Sequence, residues 1–216
     1  MHAPLELAVA ILAAGRGTRL GGPKALFELA GESLLFRVLR TLDAAFRELA
    51  VPAEIAVVCG ADAERVRSRL ATARLGIAAS VVANEAPERE RTHSLRLAAA
   101  ALPPQRALLV WPVDVPLVAP ATLRALTREP VAERAYRSPF HGERGGHPVL
   151  LGAALREELL ALRDDETLRE LRDRATTLRE RIAVDDPFVL LDLDTPHDVQ
   201  RALRDLESSG RESRSS

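Results

Sequence analysis

The sequence predicts an α/β protein with a doubly wound, mostly parallel central sheet and helices on both faces. Two observations carry this expectation. Short apolar runs alternate with segments of helical periodicity, strand then helix, through most of the chain. The runs are apolar throughout rather than at every second position, as strands covered on both sides require. Parallel strands joined by crossover helices satisfy both patterns.

The first run, LAVAIL (7–12), stops at a stretch with glycines at 15, 17, 21 and 22 and a proline at 23, which no helix can run through. A helix is predicted over about 33–50, with Ser33 placed to cap its first turn. EIAVVC (54–59) reads as a strand, 62–74 as a helix, IAASVVA (77–83) as a strand and 93–101 as a helix. The run ALLVW (107–111) is followed by a helix at 120–128 and by shorter strand candidates at 132–137 and 147–151. After residue 152 the rhythm changes to arginine- and glutamate-rich helices at 153–162 and 166–174, whose charged faces are expected in solvent. Strands at 179–184 and 188–193 and a helix from Pro196 to about Leu206 complete a single expected domain, 1–206. The tail, 207–216, is polar and without apolar anchors, and disorder is expected there. The sequence shows no internal repeat.

Composition narrows the partners. With 216 residues, 47% of them hydrophobic, the chain is long enough for one sizeable core. The 30 basic and 31 acidic residues leave a net charge of -1, so no overall basic field points to nucleic acid and no basic arm to a membrane surface. Aromatic residues make up 3%, too few for a platform that stacks single-stranded nucleic acid. The single cysteine, Cys59, excludes an intramolecular disulfide and a cysteine zinc cluster, suits a reducing compartment, and is expected to be buried at a strand end. The N-terminal apolar run is short and lacks a basic flank, so neither an export signal nor a membrane span is expected, which favours the cytoplasm.

The glycine-rich stretch fits neither familiar phosphate motif. A P-loop lysine is followed by serine or threonine, whereas Ala25 follows Lys24. A dinucleotide fingerprint needs its third glycine inside a helix, where Pro23 forbids one. What remains is a long open loop at a strand's carboxyl end. Successive N–H groups there can form an anion nest, Gly15 and Gly17 permit close approach, and Arg16, Arg19 and Lys24 supply countercharge. A surface turn with scattered basic residues is the plainer alternative.

The order Leu12-Ala13-Ala14-Gly15-x-Gly17-x-Arg19-x-Gly21-x-Pro23-Lys24 resembles the signature opening the MobA-like NTP transferases, and within them the molybdenum cofactor cytidylyltransferase-like proteins. The resemblance implies the Rossmann-like fold of nucleotide-diphospho-sugar transferases. It also implies a loop that wraps a nucleoside triphosphate, with Leu12, Ala13 and Gly15 against the base, Ala14 and Gly17 among the nucleotide-binding residues, and Arg19 and Lys24 at the phosphates.

Four further segments extend the resemblance. Asp114 lies between two prolines just past a strand end, in PVDVPLV, where ligands gather in such sheets. The resemblance makes it a magnesium and nucleotide ligand; otherwise it caps a turn. DLDTPHD (192–198) resembles the family's closing motif and implies a second metal ligand, Asp194 or else Asp192, which alternation sends to the same side. Asp194 or Thr195 can also simply cap the helix beginning at Pro196, and Asp198 is expected to meet that helix's dipole. Ser94 matches a serine that sits against the base, or is an N-cap; glycine often precedes it in the family, where this chain has RERTH. HGERGGHPVLL (141–151) resembles a region shaping the acceptor pocket, which implies Arg144, Gly145, Gly146 and His147 as acceptor contacts, with a plain hairpin as the alternative. The arginine-rich segment 162–172 lacks the glycines of the cytidylyltransferase subgroup.

The expected reaction is attack by a phosphorylated small molecule on a nucleoside triphosphate, with magnesium and release of pyrophosphate. Lys24, Arg19 and Asp114 are its expected catalytic residues. Ala14 favours CTP and a molybdopterin acceptor, with a sugar phosphate as the alternative acceptor and a noncatalytic nucleotide-binding protein as the alternative class. A monomer or homodimer is expected.

Overall fold

A computed structural model describes residues 6–15, 17–49, 53–86, 89 and 91–212. Strand β1 (Leu7–Ala13) leads through two 3-10 turns, Thr18–Leu20 and Lys24–Leu26, into a hairpin of β2 (Glu28–Leu29) and β3 (Glu32–Ser33), then α1 (Leu34–Leu49), β4 (Ala53–Cys59) and α2 (Ala63–Thr72). There follow β5 (Ala79–Ala83), α3 (Arg91–Ala100), β6 (Ala107–Pro112) and α4 (Pro120–Thr127). The second half comprises β7 (Ala135–His141), β8 (Arg144–Gly145), β9 (Val149–Leu151), α5 (Ala153–Leu160), α6 (Leu168–Asp173), β10 (Leu178–Ala183), a 3-10 turn at Pro187–Leu190, and α7 (Pro196–Glu212).

The main sheet has the order β10-β7-β9-β6-β1-β4-β5, with β8 paired to β7. Strand β1 runs parallel to both neighbours, β4 and β6, and β4 parallel to β5, whereas β9 runs antiparallel to β6 and β7. The chain winds outward from β1 to β5 and then returns to β6 on the other side of β1. The carboxyl ends of β1 and β6 therefore flank a topological switch point, the crevice where such sheets bind ligands.

All seven residues of β1 are buried, and their alternation divides the core. Leu7, Val9, Ile11 and Ala13 pack with α1, α2 and α7, and Ala8, Ala10 and Leu12 with α3, α5 and α6. Burial of each large aliphatic side chain stabilises the fold by about 1.5–3 kcal/mol. Cys59 is buried at the end of β4, and desolvation pushes its thiol up to about 12. No helix among the described residues is long and apolar enough to cross a membrane.

The fold departs from the sequence reading in five places. Ser33 does not cap α1: its buried Oγ lacks a hydrogen-bond partner, and Leu34 N–H is taken instead by the Phe27 carbonyl at 2.9 Å. Strand β7 begins three residues later than expected and runs to His141, because it must pair with β9 and β10. Residues 188–193 form no strand. The Asp186 carboxylate accepts the Phe188 N–H at 3.1 Å and Pro187 opens a 3-10 turn, which takes the chain out of the extended form and packs it on β7 and β8 instead of adding a strand. Helix α7 extends to Glu212, into the segment read as a tail. Finally, Arg156 of α5 is 1% exposed rather than solvated, donating to the carbonyls of Ala99 and Leu102 at 2.5 and 2.6 Å and so satisfying the carboxyl end of α3.

Candidate active site

The glycine loop folds on itself beyond the end of β1. Gly17, at φ 57°, begins the first 3-10 turn, and its carbonyl accepts the N–H groups of Leu20 and Gly22 at 2.8 and 3.2 Å. A Cβ there would lie 1.9 Å from the Gly22 oxygen, so only glycine closes the turn. The turn returns Lys24 to the mouth of the crevice. Arg19 is exposed on the turn and is not among the residues lining the crevice, and Arg16 lies outside the described residues.

The chain after β6 is bent by specific bonds. Trp111 Nε1–H donates to the Val115 carbonyl at 2.9 Å and Val113 N–H to that of Leu12 at 3.0 Å. These hold Asp114 over the end of β1, 7% exposed. Its own carbonyl accepts Leu193 N–H at 2.8 Å, and with Leu193 fully buried this draws the 192–194 segment to the site although it is not a strand. Thr195 and Asp198 start α7 with a reciprocal cap: Asp198 accepts from Thr195 N–H at 2.8 Å, and Asp198 N–H donates to Thr195 Oγ1 at 3.3 Å.

Lys24 Nζ lies between the two acidic segments, 2.7 Å from Asp114 Oδ2 and in contact with Asp194 Oδ1. Burial pulls its pKa down, but the charges and hydrogen bonds of Asp114 and Asp194 more than offset this, and the net shift is upward. Asp192 is exposed as a residue, yet packing around its carboxyl and the charges of Asp114 and Asp194 raise it, against Arg91 and Lys24. Among the described residues no three histidine, cysteine or acidic side chains are grouped closely enough to hold a metal by themselves. Magnesium, however, commonly takes one or two carboxylates and completes its shell with substrate phosphates and water. Asp114 Oδ1 is buried without a hydrogen-bond partner, a hard oxygen donor that suits such a cation.

Two adjoining cavities meet at this point. The smaller, about 190 Å³, is lined by Leu12, Ala14, Gly15, Lys24, Ser94 and Asp114 among others, so six of the sequence candidates come together. Ala13 is buried in β1 beneath it and Gly17 shapes its loop. Ser94 is not an N-cap, because α3 begins at Arg91; its Oγ accepts from Asn84 Nδ2 at 3.0 Å, which leaves its own proton for another acceptor.

The larger cavity, about 1000 Å³, opens between β7, β9 and the 164–172 segment and contains Tyr136, Phe140, Gly146 and His147. Gly146 is pressed against the 187–190 turn, where a Cβ would meet the Val189 oxygen at 2.2 Å. His147 N–H donates to that same oxygen at 2.9 Å, and its buried Nδ1 has no partner. Burial, reinforced by Arg91 and opposed by Asp114, lowers its pKa to about 4. Arg144 lies outside this lining, exposed on the β7–β8 hairpin. The sequence reading missed Arg91, which lines both cavities; two arginines ahead of a helix start, at 89 and 91, were the available signal.

The model of the MobA-like NTP transferase domain matches residues 9–182. The solved structure of Rv0371c from Mycobacterium tuberculosis H37Rv superposes with a TM-score of 0.73 at 31% identity, over 92% of this chain and 98% of that one. Rv0371c is also solved in complex with manganese, with a TM-score of 0.70 at 28% identity over the same shares. The bifunctional protein GlmU of Chromobacterium violaceum is 33% identical over 151 residues, 69% of this chain. This match spans only 31% of that curated relative's length. Molybdopterin-guanine dinucleotide biosynthesis protein A from Archaeoglobus fulgidus shares the fold, with a TM-score of 0.66 at 20% identity over 93% of this chain and 99% of that one. The family match runs from the third residue of β1 to the fifth of β10, takes in the walls of both cavities, and places the chain in the MobA-like NTP transferase family.

Proposed function

We propose that the protein is a magnesium-dependent nucleotidyltransferase that moves a nucleoside monophosphate from CTP to a phosphorylated, ring-bearing acceptor of the molybdopterin type. The observation that carries this reading is Lys24 held between Asp114 and Asp194 at the switch-point crevice. A cation and two carboxylates there meet the needs of a triphosphate and its metal in one place. An oxygen of the acceptor phosphate bonds to the α-phosphorus while the bond from that phosphorus to the bridging oxygen breaks, and pyrophosphate leaves with the electron pair. The attacking phosphate is already anionic, so no general base is needed. Lys24, kept protonated, neutralises charge on the phosphates. Asp114, with Asp194 or Asp192, would hold magnesium, which supplies further neutralisation. Ser94 donates its free proton to the base, with Leu12, Ala13, Ala14 and Gly15 beside it. Arg19 reaches the phosphates from the rim once the triphosphate is seated.

The larger cavity supports an acceptor of the molybdopterin type over a simple sugar phosphate, because its volume of about 1000 Å³ stands at the upper end for small-molecule sites and Tyr136 and Phe140 line it. Gly146 and His147 form its floor, with Arg144 at its edge. Pyrophosphate release measured with each of the four nucleoside triphosphates, against molybdopterin and a panel of sugar phosphates, tests the reading. Fastest release with CTP and molybdopterin is expected. Preference for a sugar phosphate overturns the acceptor, and release with no pair despite tight nucleotide binding overturns the enzyme.

A further inference from the structure

Arg91 is the first residue of α3, a helix with no acidic residue in its first turn, so its charge adds to the positive end of the helix dipole. It lines both cavities. Its guanidinium lies 3.9 Å from Asp114 Oδ2 while 64% of the side chain stays exposed, a long pair rather than a closed one. Its charge is felt by His147 in the larger cavity and by Asp192 at the closing segment, so the guanidinium faces the junction itself. Of the other cations at the smaller cavity and on α3, Arg89 lies 3.5 Å from Asp164, Arg96 is bonded to Asp164 and the Leu162 carbonyl, and Lys24 is paired with two carboxylates, while Arg169, Arg172 and Arg181 line only the larger cavity.

We infer that Arg91 binds the phosphate of the acceptor and brings it against the α-phosphorus. This rests on the nucleotidyltransferase reading. Two phosphate anions must approach each other at the junction, and their repulsion is relieved by a cation that belongs to both cavities. A guanidinium does this with a bidentate grip, which also sets the direction of attack.

Inorganic phosphate serves as the probe. It is titrated calorimetrically into the protein saturated with magnesium and an α,β-methylene nucleoside triphosphate, each of the four bases being tried. Arg91→Ala is expected to weaken phosphate binding by about tenfold or more while the analogue's affinity stays within about twofold, and Arg91→Lys to recover part of the loss. Unchanged phosphate affinity in Arg91→Ala overturns the inference, as does a parallel loss of analogue affinity, which would assign Arg91 to the triphosphate. A wild-type protein that binds an analogue but no phosphate overturns this inference alone. One that binds no analogue overturns the nucleotidyltransferase reading, and this inference with it.

Discussion

The two cavities that meet at Arg91 are built in opposite ways. The smaller, about 190 Å³, is made by loops at the carboxyl ends of two adjacent parallel strands, β1 and β6, and its lysine, Lys24, is already bonded to Asp114 and Asp194. The larger, about 1000 Å³, is walled by β7, β9, the β7–β8 hairpin and the 164–172 segment, and contains a buried nitrogen without a partner. The difference teaches that the first is organised before any ligand arrives, whereas the second is shaped by packing among distant segments. Substitutions should therefore act on the two sides through different quantities: charge and turnover on one, fit and stability on the other.

The largest effect is expected on the small side. Lys24→Ala and Asp114→Ala should each lower pyrophosphate release by about 10²–10³-fold or more with the far-ultraviolet circular dichroism unchanged. Near wild-type turnover in either variant would break the idea that this side is electrostatic. Gly146→Ala probes the other side: with its Cβ 2.2 Å from the Val189 oxygen, it should cost about 1–3 kcal/mol in urea unfolding and raise acceptor KM while nucleotide affinity holds. Equal losses for both substrates would erase the distinction.

His147 sharpens the comparison through pH. Its pKa lies at about 4 in the folded chain, below its ordinary value of 6.5. The unfolded chain thus takes up the proton first, and stability falls as the pH drops from about 6.5 to about 4, with no contribution above that window. Denaturant curves for His147→Gln should show a shallower decline there; an unaltered slope would contradict its burial as a neutral ring. The smallest effect expected is for Ser94→Ala, a loss of about two- to tenfold in discrimination for CTP over the other triphosphates, as one neutral hydrogen bond provides.

How much was legible follows the same division. The strands β1, β4, β5 and β6 were readable because each is a mostly apolar run, broken only by Glu54 in β4 and Ser80 in β5, and the loop from Gly15 to Lys24 because its residues are neighbours in sequence. Asp114 stood out between two prolines at a strand end. The segment 188–193 was misread because its apolar residues are buried by a 3-10 turn, and periodicity cannot tell that from a strand. Arg156 read as solvated because its partners are carbonyls at the end of another helix, far along the chain.

The sequence by itself determined the alternation of strand and helix, the open loop that Pro23 keeps from being helical, and the acidic residues that follow two apolar segments, because each depends on contacts within a few residues. Only the tertiary structure decided that Lys24 stands between Asp114 and Asp194, 90 and 170 residues away, and that Arg91 joins two cavities. Those placements follow from the strand order and from single long-range bonds such as Leu193 N–H to the Asp114 carbonyl, and no local pattern of residues encodes them.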